Sequence, residues 1–323
     1  MTSRQVRTGT ARAGATAAAL ALLIAGCGNG DPGGSGDGKG GRVSVAALPL
    51  ADSAALYIAQ DRGLFKKEGI DVRIQPVQQS IQALPALSKG QVDVISGANY
   101  VTFLQAYEKG TLDARILAEG VRVTPHMMDV LVPKDSPIKN AADLKGKKVA
   151  VNILNNIQTL TLNAILEKQG AGRPSYRQIA FPQMAPALEK GQVDAVHVVE
   201  PFDSAIQDDL KARVLVDGGS APVESLPISG YLTTAQYAKK HPDTAAAFRR
   251  AIAAASKIAA RDPSAVREQL PKYTKVSAAQ ADSMALPSYP ATTDPGELRR
   301  LTELMHEQGL LNKAVDPSTL LVK

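Results

Sequence analysis

The chain of 323 residues has little of what several protein classes depend on. Its single cysteine, Cys27, excludes an intrachain disulfide, a multi-cysteine zinc site and an iron–sulfur cluster. It has no tryptophan, and aromatic residues make up only 4% of the chain. A large aromatic sandwich around a ligand is therefore disfavoured, and we expect a small or slim ligand.

The chain also lacks a long hydrophobic run and lacks acidic residues near its start. Residues 1–27 contain Arg4, Arg7 and Arg12 but neither Asp nor Glu, and the apolar run at 15–25 is shorter than the roughly 20 residues that a membrane-spanning helix needs. A basic start, a short apolar run and the closing pair Gly26-Cys27 are typical of a secretory signal. We expect an exported protein.

The position of Cys27 indicates how the exported protein is held. The residues Leu-Ile-Ala-Gly-Cys at 23–27 resemble a bacterial lipoprotein cleavage box, which implies cleavage before Cys27 and a lipid attached to its sulfur. Residues 28–41 are rich in glycine and have the composition of a flexible tether. The predicted location is the outer face of the cytoplasmic membrane, where the lipid would be the only membrane attachment.

The net charge does not indicate nucleic-acid binding. The formal charge is +6, and the three arginines of the predicted signal supply half of it. The remaining positive charge is spread over nearly 300 residues and forms no basic stripe of the kind that a phosphate backbone requires.

The body begins with a strand, helix, strand pattern. Residues 42–48 alternate and are rich in branched side chains, Asp52 and Ser53 stand where a helix begins, and a second strand pattern starts near Gly69. This order predicts a parallel sheet in an α/β fold.

An internal repeat predicts two similar lobes. The octapeptides ALSKGQVD at 86–93 and ALEKGQVD at 187–194 differ at one position and are 101 residues apart. That period suits two α/β lobes rather than a solenoid. In each lobe a loop follows the strand after the repeat, at 97–100 and at 200–202, and ligands of open α/β sheets bind at such strand ends.

The predicted domain boundaries follow from this arrangement. We assign residues 42–132 together with 230–323 to lobe 1 and residues 133–229 to lobe 2. The first hinge is expected near 130–134, where a strand-like segment gives way to a polar, turn-rich one. The second is expected near 225–231, which contains Pro227 and Gly230.

Four segments carry a resemblance to a known family: residues 57–72, residues 136–149 and the two KGQVD copies, of which the second leads into Glu200 and Pro201. The body resembles the substrate-binding lipoproteins of ABC importers, of the nitrate, sulfonate and thiamine-precursor type. The resemblance spans about residues 42–312. It implies a type II periplasmic-binding-protein-like fold with two hinge crossovers, a ligand held between the lobes, and delivery to an ABC permease and its ATPase.

The predicted ligand-binding residues come from four loops and from aromatic residues near them. Asn155 and Asn156 stand where sulfonate-binding relatives have Gly-Ser or Ser-Thr, which leaves a sulfonate or nitrate in doubt and suits a heterocyclic or thiamine-precursor-like compound about as well. Both asparagines could instead cap a helix, and Glu200 could favour a cationic ligand or serve as a cap or hinge contact. The full set is Asp52, Ser53, Tyr57, Gly97, Ala98, Asn99, Tyr100, Asn155, Asn156, Thr159, Glu200, Phe202 and Tyr231.

Other functions stay open at this point. Some relatives of the thiamine-precursor type are biosynthetic enzymes, and a sensor lipoprotein could use the same fold without transport. We expect no catalysis and no cofactor, because the sequence has no nucleophile elbow, no His-Glu-x-x-His and no phosphate-binding loop. His197 and Glu200 offer only a thin hint of a metal site. We expect a monomer.

Overall fold

The computed structural model describes residues 41–313 and 315–322. The predicted signal peptide, the lipid-anchor Cys27 and all but the last residue of the predicted tether lie outside the described residues. Within the described ranges, no helix is both long enough and apolar enough to cross a membrane.

The described residues contain ten strands and twelve helices. The strands are β1 Arg42–Ala47, β2 Asp71–Pro76, β3 Val94–Asn99, β4 Ala114–Arg122, β5 Asp129–Val132, β6 Lys148–Val151, β7 Ser175–Gln178, β8 Ala195–His197, β9 Arg213–Asp217 and β10 Pro227–Thr234. The helices are α1 Ala54–Asp61, α2 Leu64–Lys67, α3 Leu84–Ser88, α4 Tyr100–Glu108, α5 Ile157–Lys168, α6 Phe181–Glu189, α7 Phe202–Leu210, α8 Ala235–Lys240, α9 Pro242–Arg261, α10 Pro263–Tyr273, α11 Ala278–Ser283 and α12 Pro295–Glu307. Short 3-10 helices occur at Ala51–Ser53, Ser80–Ala83, Ala141–Leu144 and Pro317–Leu320.

The strands form two mixed sheets of five strands each. The first has the order β2-β1-β3-β10-β4, and the second has the order β7-β6-β8-β5-β9. In each sheet the first three strands are parallel, as the strand, helix, strand pattern predicts, and the fourth runs antiparallel to the third. The predicted two-lobe α/β fold with two crossovers is confirmed.

The first crossover comes earlier than the sequence indicated. Strand β5 was assigned to lobe 1, but it pairs with β8 and β9 and therefore belongs to the second sheet. Val130 and Leu131 are fully buried there, so their branched side chains stabilise lobe 2. The chain crosses at 123–128 and returns at 218–226, and residues 227–229, assigned to lobe 2, lie in the first sheet.

Aromatic side chains fill the centre of the first lobe. Phe65 and Phe248 stack with ring centroids 5.4 Å apart, and Tyr231 meets Phe248 edge to face at 5.8 Å. Phe248 belongs to the apolar face of α9 that the sequence spacing indicates, and this face packs on α1 and β4. Through the contact between Phe248 and Tyr231, α9 holds β10 in position, and β10 supplies part of the lining of the site described below.

The close packing of β10 gives a test of the fold. A Cβ on Gly230 would overlap the buried Tyr100 hydroxyl and would lie 2.8 Å from the Ala118 carbonyl oxygen. Gly230→Ala should therefore lower the free energy of unfolding by about 1–3 kcal/mol, because a neighbouring strand cannot move aside freely.

Urea unfolding measures this change. Gly296→Ala is the matched control, since its new methyl group would meet only the Asp294 side chain at 3.2 Å at the start of α12. Equal stability of the two variants would contradict the packing described for β10.

Candidate functional site

A small cavity lies where the carboxyl ends of strands from both lobes meet. Its volume is about 40 Å³, close to that of one or two water molecules. Hydrogen bonds between the lobes surround it, so the cleft is closed in this structure. The lining residues are Leu48, Leu50, Asp52, Ser80, Gly97, Asn99, Met128, Asn152, Ile153, Asn156, Ile157, Gln158, Phe181, Val199, Ile228 and Ser229.

Among the described residues that line the cavity, Asp52 is the only one with an ionisable side chain. It lies in the 3-10 helix after β1 and is buried. Its Oδ2 accepts a hydrogen bond from the Ser229 hydroxyl, whereas its Oδ1 has no partner among the described residues. Burial raises the pKa of Asp52, and the bond from Ser229 opposes that increase.

The carboxyl end of β3 places Gly97 and Asn99 at the cavity. Gly97 has a φ of +68°, a conformation that glycine adopts without strain. Asn99 is the N-cap of α4: its Oδ1 accepts from the Thr102 amide at 3.1 Å, and its Nδ2 donates to Thr102 Oγ1 at 2.8 Å. The amide of Asn99 thus lines the cavity and also starts a helix.

The loop after β6 is held by Gln158. Its Oε1 accepts from the Asn152 backbone at 2.8 Å and from Asn156 Nδ2 at 3.1 Å, and its Nε2 donates to the His197 carbonyl. Asn156 caps α5 by accepting from the amides of Gln158 and Thr159. Of the two roles that the sequence left open for Asn156, the cap is present in the structure, and the residue also lines the cavity.

Asn155 and Thr159 do not line this cavity. Asn155 is exposed with a φ of +53°, and the two residues lie instead on a polar groove of about 520 Å³ that includes parts of α4 and the chain after α12. Thr159 Oγ1 donates to the Asn156 carbonyl at 2.8 Å. Ligand contacts of Asn155 and Thr159 stay predictions.

Glu200 connects the two lobes and does not line the cavity. Its carboxylate accepts from the Ser204 hydroxyl at 2.6 Å, from the Ser204 amide at 3.1 Å and from the Ala285 amide of the first lobe at 3.3 Å. Its carbonyl oxygen accepts from the Ala51 amide, also at 3.3 Å. The conformational role that the sequence left open for Glu200 is the one that these contacts support.

The predicted aromatic residues lie around the cavity rather than in it. Tyr57 stacks on Tyr273 with centroids 3.8 Å apart, and Phe202 stacks on Phe181 at 5.5 Å. Phe202 and Tyr273 line an apolar groove of about 490 Å³ between the lobes. The other predicted residues outside the lining are buried in the first lobe: Ser53, Ala98, Tyr100 and Tyr231.

The sequence did not indicate Ser80 and Ser229, which line the cavity, or Gln79, which lies beside it. Gln79 reaches across the cleft: its Nε2 donates to the Asn152 carbonyl at 2.6 Å and contacts Asn152 Oδ1 at 3.2 Å. Gln79 and Ser80 follow β2, a strand end of the kind used to predict the other loops. Ser229 lies in an antiparallel strand, for which the rule of parallel strand ends gives no signal.

Acidic side chains cluster beside Glu200, behind the cavity. The Asp129 amide donates to Asp203 Oδ2 at 2.8 Å, and Gln207 donates to Asp203 Oδ1 at 2.7 Å. Burial, together with the nearby carboxylates of Asp129 and Glu200, raises the pKa of Asp203 from 3.8 to about 8. Burial also raises the pKa of Glu200 and of Asp129.

Among the described residues, one cluster contains three or more potential metal ligands. His197 and Glu200, which gave the hint of a metal site in the sequence, do not belong to it. That cluster contains His126, Asp129 and Asp217, whose ligand atoms lie within 4.8 Å of one another. Both aspartates already accept backbone hydrogen bonds, and His126 is exposed. His197, the histidine of that hint, is fully buried, and its burial lowers its pKa to about 4.

Known proteins resemble this chain in sequence and in structure. A family model described as NMT1/THI5 like matches residues 51–266. An aliphatic sulfonates-binding protein of Escherichia coli (strain K12) is 31% identical over 196 residues, which are 58% of each protein. The 4-amino-5-hydroxymethyl-2-methylpyrimidine phosphate synthase of Schizosaccharomyces pombe is 24% identical over 220 residues, 64% of this chain and 62% of that protein. The chain thus matches less than two thirds of the length of either relative.

The solved structure of the alkanesulfonate-binding protein SsuA from Xanthomonas axonopodis pv. citri, bound to MOPS, has the same fold. Its TM-score is 0.74 at 21% identity, with coverage of 88% of this chain and 98% of that chain. The periplasmic-binding-protein-like fold expected from the sequence is confirmed.

The acidic cluster makes stability depend on pH. A carboxyl group whose pKa is raised in the folded protein keeps its proton where the unfolded chain has lost it, so folding stability falls as the pH rises through this range. Asp203→Asn removes the carboxyl group that binds this proton and keeps an oxygen that can accept from the Asp129 amide. The free energy of unfolding of the variant should therefore fall less steeply than that of the unmodified protein between about pH 5 and pH 8.

Urea unfolding at several pH values measures the slope. Asp208→Asn makes the same chemical change at an exposed position of α7 and should keep the original slope. An unchanged slope in Asp203→Asn would show that Asp203 is ionised in the folded protein at these pH values.

Proposed function

Because the chain belongs to the NMT1/THI5-like family, we propose that it is the solute-binding component of an ABC importer. In this role it captures a small molecule between its lobes and presents the closed form to a membrane permease. The relative named as sulfonate-binding and the fold shared with a solute-binding protein support the proposal.

The observation that carries the proposal is the position of the cavity at the junction of the lobes. Asp52 and Asn99 line it from the first lobe, and Asn156 and Gln158 line it from the second. A ligand that contacts both sets binds the closed form better than the open form, and it shifts the hinge equilibrium by that difference in affinity.

Closure depends on hydrogen bonds that exist only when the lobes meet. The Gln79 side chain donates to the Asn152 carbonyl, the Ala51 amide donates to the Glu200 carbonyl, and the Ala285 amide donates to the Glu200 carboxylate. The two crossovers at 123–128 and 218–226 are the segments that connect the sheets and would bend on opening.

The proposed location follows from the first 41 residues. The signal directs export, Cys27 carries the lipid, and the glycine-rich tether lets the monomeric body reach the permease at the outer face of the cytoplasmic membrane.

A biosynthetic enzyme is the second candidate, because one relative is named as a phosphate synthase. The two functions differ in what happens to a bound compound. A carrier releases it unchanged, whereas an enzyme returns a product, so chromatography of the compound after incubation with the protein distinguishes them.

Gln79→Ala tests closure. Loss of the bond to Asn152 should weaken the closed form by about 1–2 kcal/mol and reduce the affinity for any ligand that requires closure by roughly tenfold. The measurement uses fluorophores at Asp209→Cys and Lys275→Cys, which lie on opposite lobes at the apolar groove, in a chain that carries Cys27→Ser.

Addition of a ligand should shorten the distance between the labels, and in the Gln79→Ala chain more ligand should be needed to reach the same distance. Gln91→Ala, an exposed glutamine of the first lobe, is the control. A bound compound that leaves the distance unchanged would contradict the proposed mechanism.

Cys27→Ser tests the anchor. A cell expressing the unmodified chain should incorporate labelled fatty acid into the protein and keep it in the membrane fraction, whereas the variant should be unlabelled. Ser35→Ala within the tether should behave like the unmodified chain. Incorporation of the labelled fatty acid into the Cys27→Ser protein would contradict lipid anchoring through this sulfur.

A further inference from the structure

The cavity has a negative group and no positive one. Asp52 is acidic, and none of the described residues that line the cavity is Lys, Arg or His. A sulfonate or nitrate would therefore meet a carboxylate and no cationic partner, whereas a cation would supply the counter-charge that Asp52 lacks.

One oxygen of Asp52 is available to a donor. Oδ2 accepts from the Ser229 hydroxyl, and Oδ1 is buried without a partner among the described residues. A buried acceptor that is left without a donor destabilises the closed form, and a ligand N–H group at this oxygen would remove that penalty. Burial raises the pKa of Asp52, as expected for a carboxylate without a counter-charge.

Three of the side-chain amide groups around the cavity already donate a hydrogen bond within the protein. Asn99 Nδ2 donates to Thr102, Asn156 Nδ2 donates to Gln158, and Gln158 Nε2 donates to the His197 carbonyl. Small anions are bound best by several donors at once, and these bonds reduce the number of N–H groups that the lining offers to one.

We propose that the ligand presents a cationic or neutral N–H group to Asp52 Oδ1, and that the site discriminates against sulfonates, nitrate and other small anions. This inference rests on the proposed solute-binding function. The sequence left two roles open for Glu200, selection of a cationic ligand or a cap or hinge contact. Because the Glu200 carboxylate is bound to Ser204 and Ala285, we assign the selection of a cation to Asp52 instead.

The test uses planar probes of nearly equal size that differ in charge: acetamidinium, acetamide and acetate, with methanesulfonate as the sulfonate. Binding to the full chain is measured by isotope-edited NMR titration at pH 7. Acetamidinium should bind in the millimolar range and at least about tenfold more tightly than acetate or methanesulfonate, with acetamide between them.

Two variants locate the effect. Asp52→Asn keeps the shape of the side chain and should reduce acetamidinium affinity by about tenfold or more while narrowing the difference between the probes. Asp135→Asn makes the same change at an exposed site and should have no effect. Ser229→Ala keeps the carboxylate and frees its second oxygen, so it should preserve the order of the probes.

Each outcome decides the inference. Tighter binding of methanesulfonate or acetate than of acetamidinium overturns it, as does acetamidinium binding that Asp52→Asn leaves unchanged or no binding of any probe. The order of the probes in the unmodified chain is decisive even if Asp52→Asn fails to fold. If methanesulfonate binds in preference to acetamidinium and brings the lobes together, the proposed function stands and this inference is rejected. If acetamidinium binds in preference but does not bring the lobes together, this inference stands and the proposed function is rejected.

Discussion

The structure depends on the way in which two five-stranded sheets present their loops to each other. Parallel strands of one lobe end opposite those of the other, so backbone and amide groups that each lobe would otherwise expose to water become buried partners. The bond from Gln79 to Asn152 and the two bonds to Glu200 join one lobe to the other. The site is therefore formed by the contact between the lobes and does not belong to either lobe alone.

The carboxylates near the cleft have different surroundings and different roles. Glu200 accepts hydrogen bonds from Ser204 and from the opposite lobe, and it belongs to a buried acidic group with Asp129 and Asp203. Asp52 has one oxygen that lacks a partner among the described residues, at the cavity itself. We expect the first group to govern how folding stability responds to pH, and we propose that Asp52 is the carboxylate that a ligand meets.

The sequence alone predicted which loops approach the cleft more reliably than which side chains line it. Asp52, Gly97, Asn99 and Asn156 were predicted and lie at the cavity. Asn155 was predicted on the same grounds, but its positive φ turns it toward solvent. Residues missed from the sequence, such as Gln79 and Ser229, come from the turn after β2 and from the antiparallel strand.

The predictions of export, of a lipid anchor and of a repeated α/β organisation rest on local or periodic features of the chain. The sequence by itself determined these features. Hydrophobic alternation and an octapeptide repeated after 101 residues are visible without knowledge of distant contacts. The placement of β5 in the second lobe, the engagement of Glu200 and the exposure of one of two adjacent asparagines were decided only by the tertiary structure. The physical reason is that each depends on a partner far away in the chain, and hydrogen-bond satisfaction between distant residues leaves no pattern in the sequence.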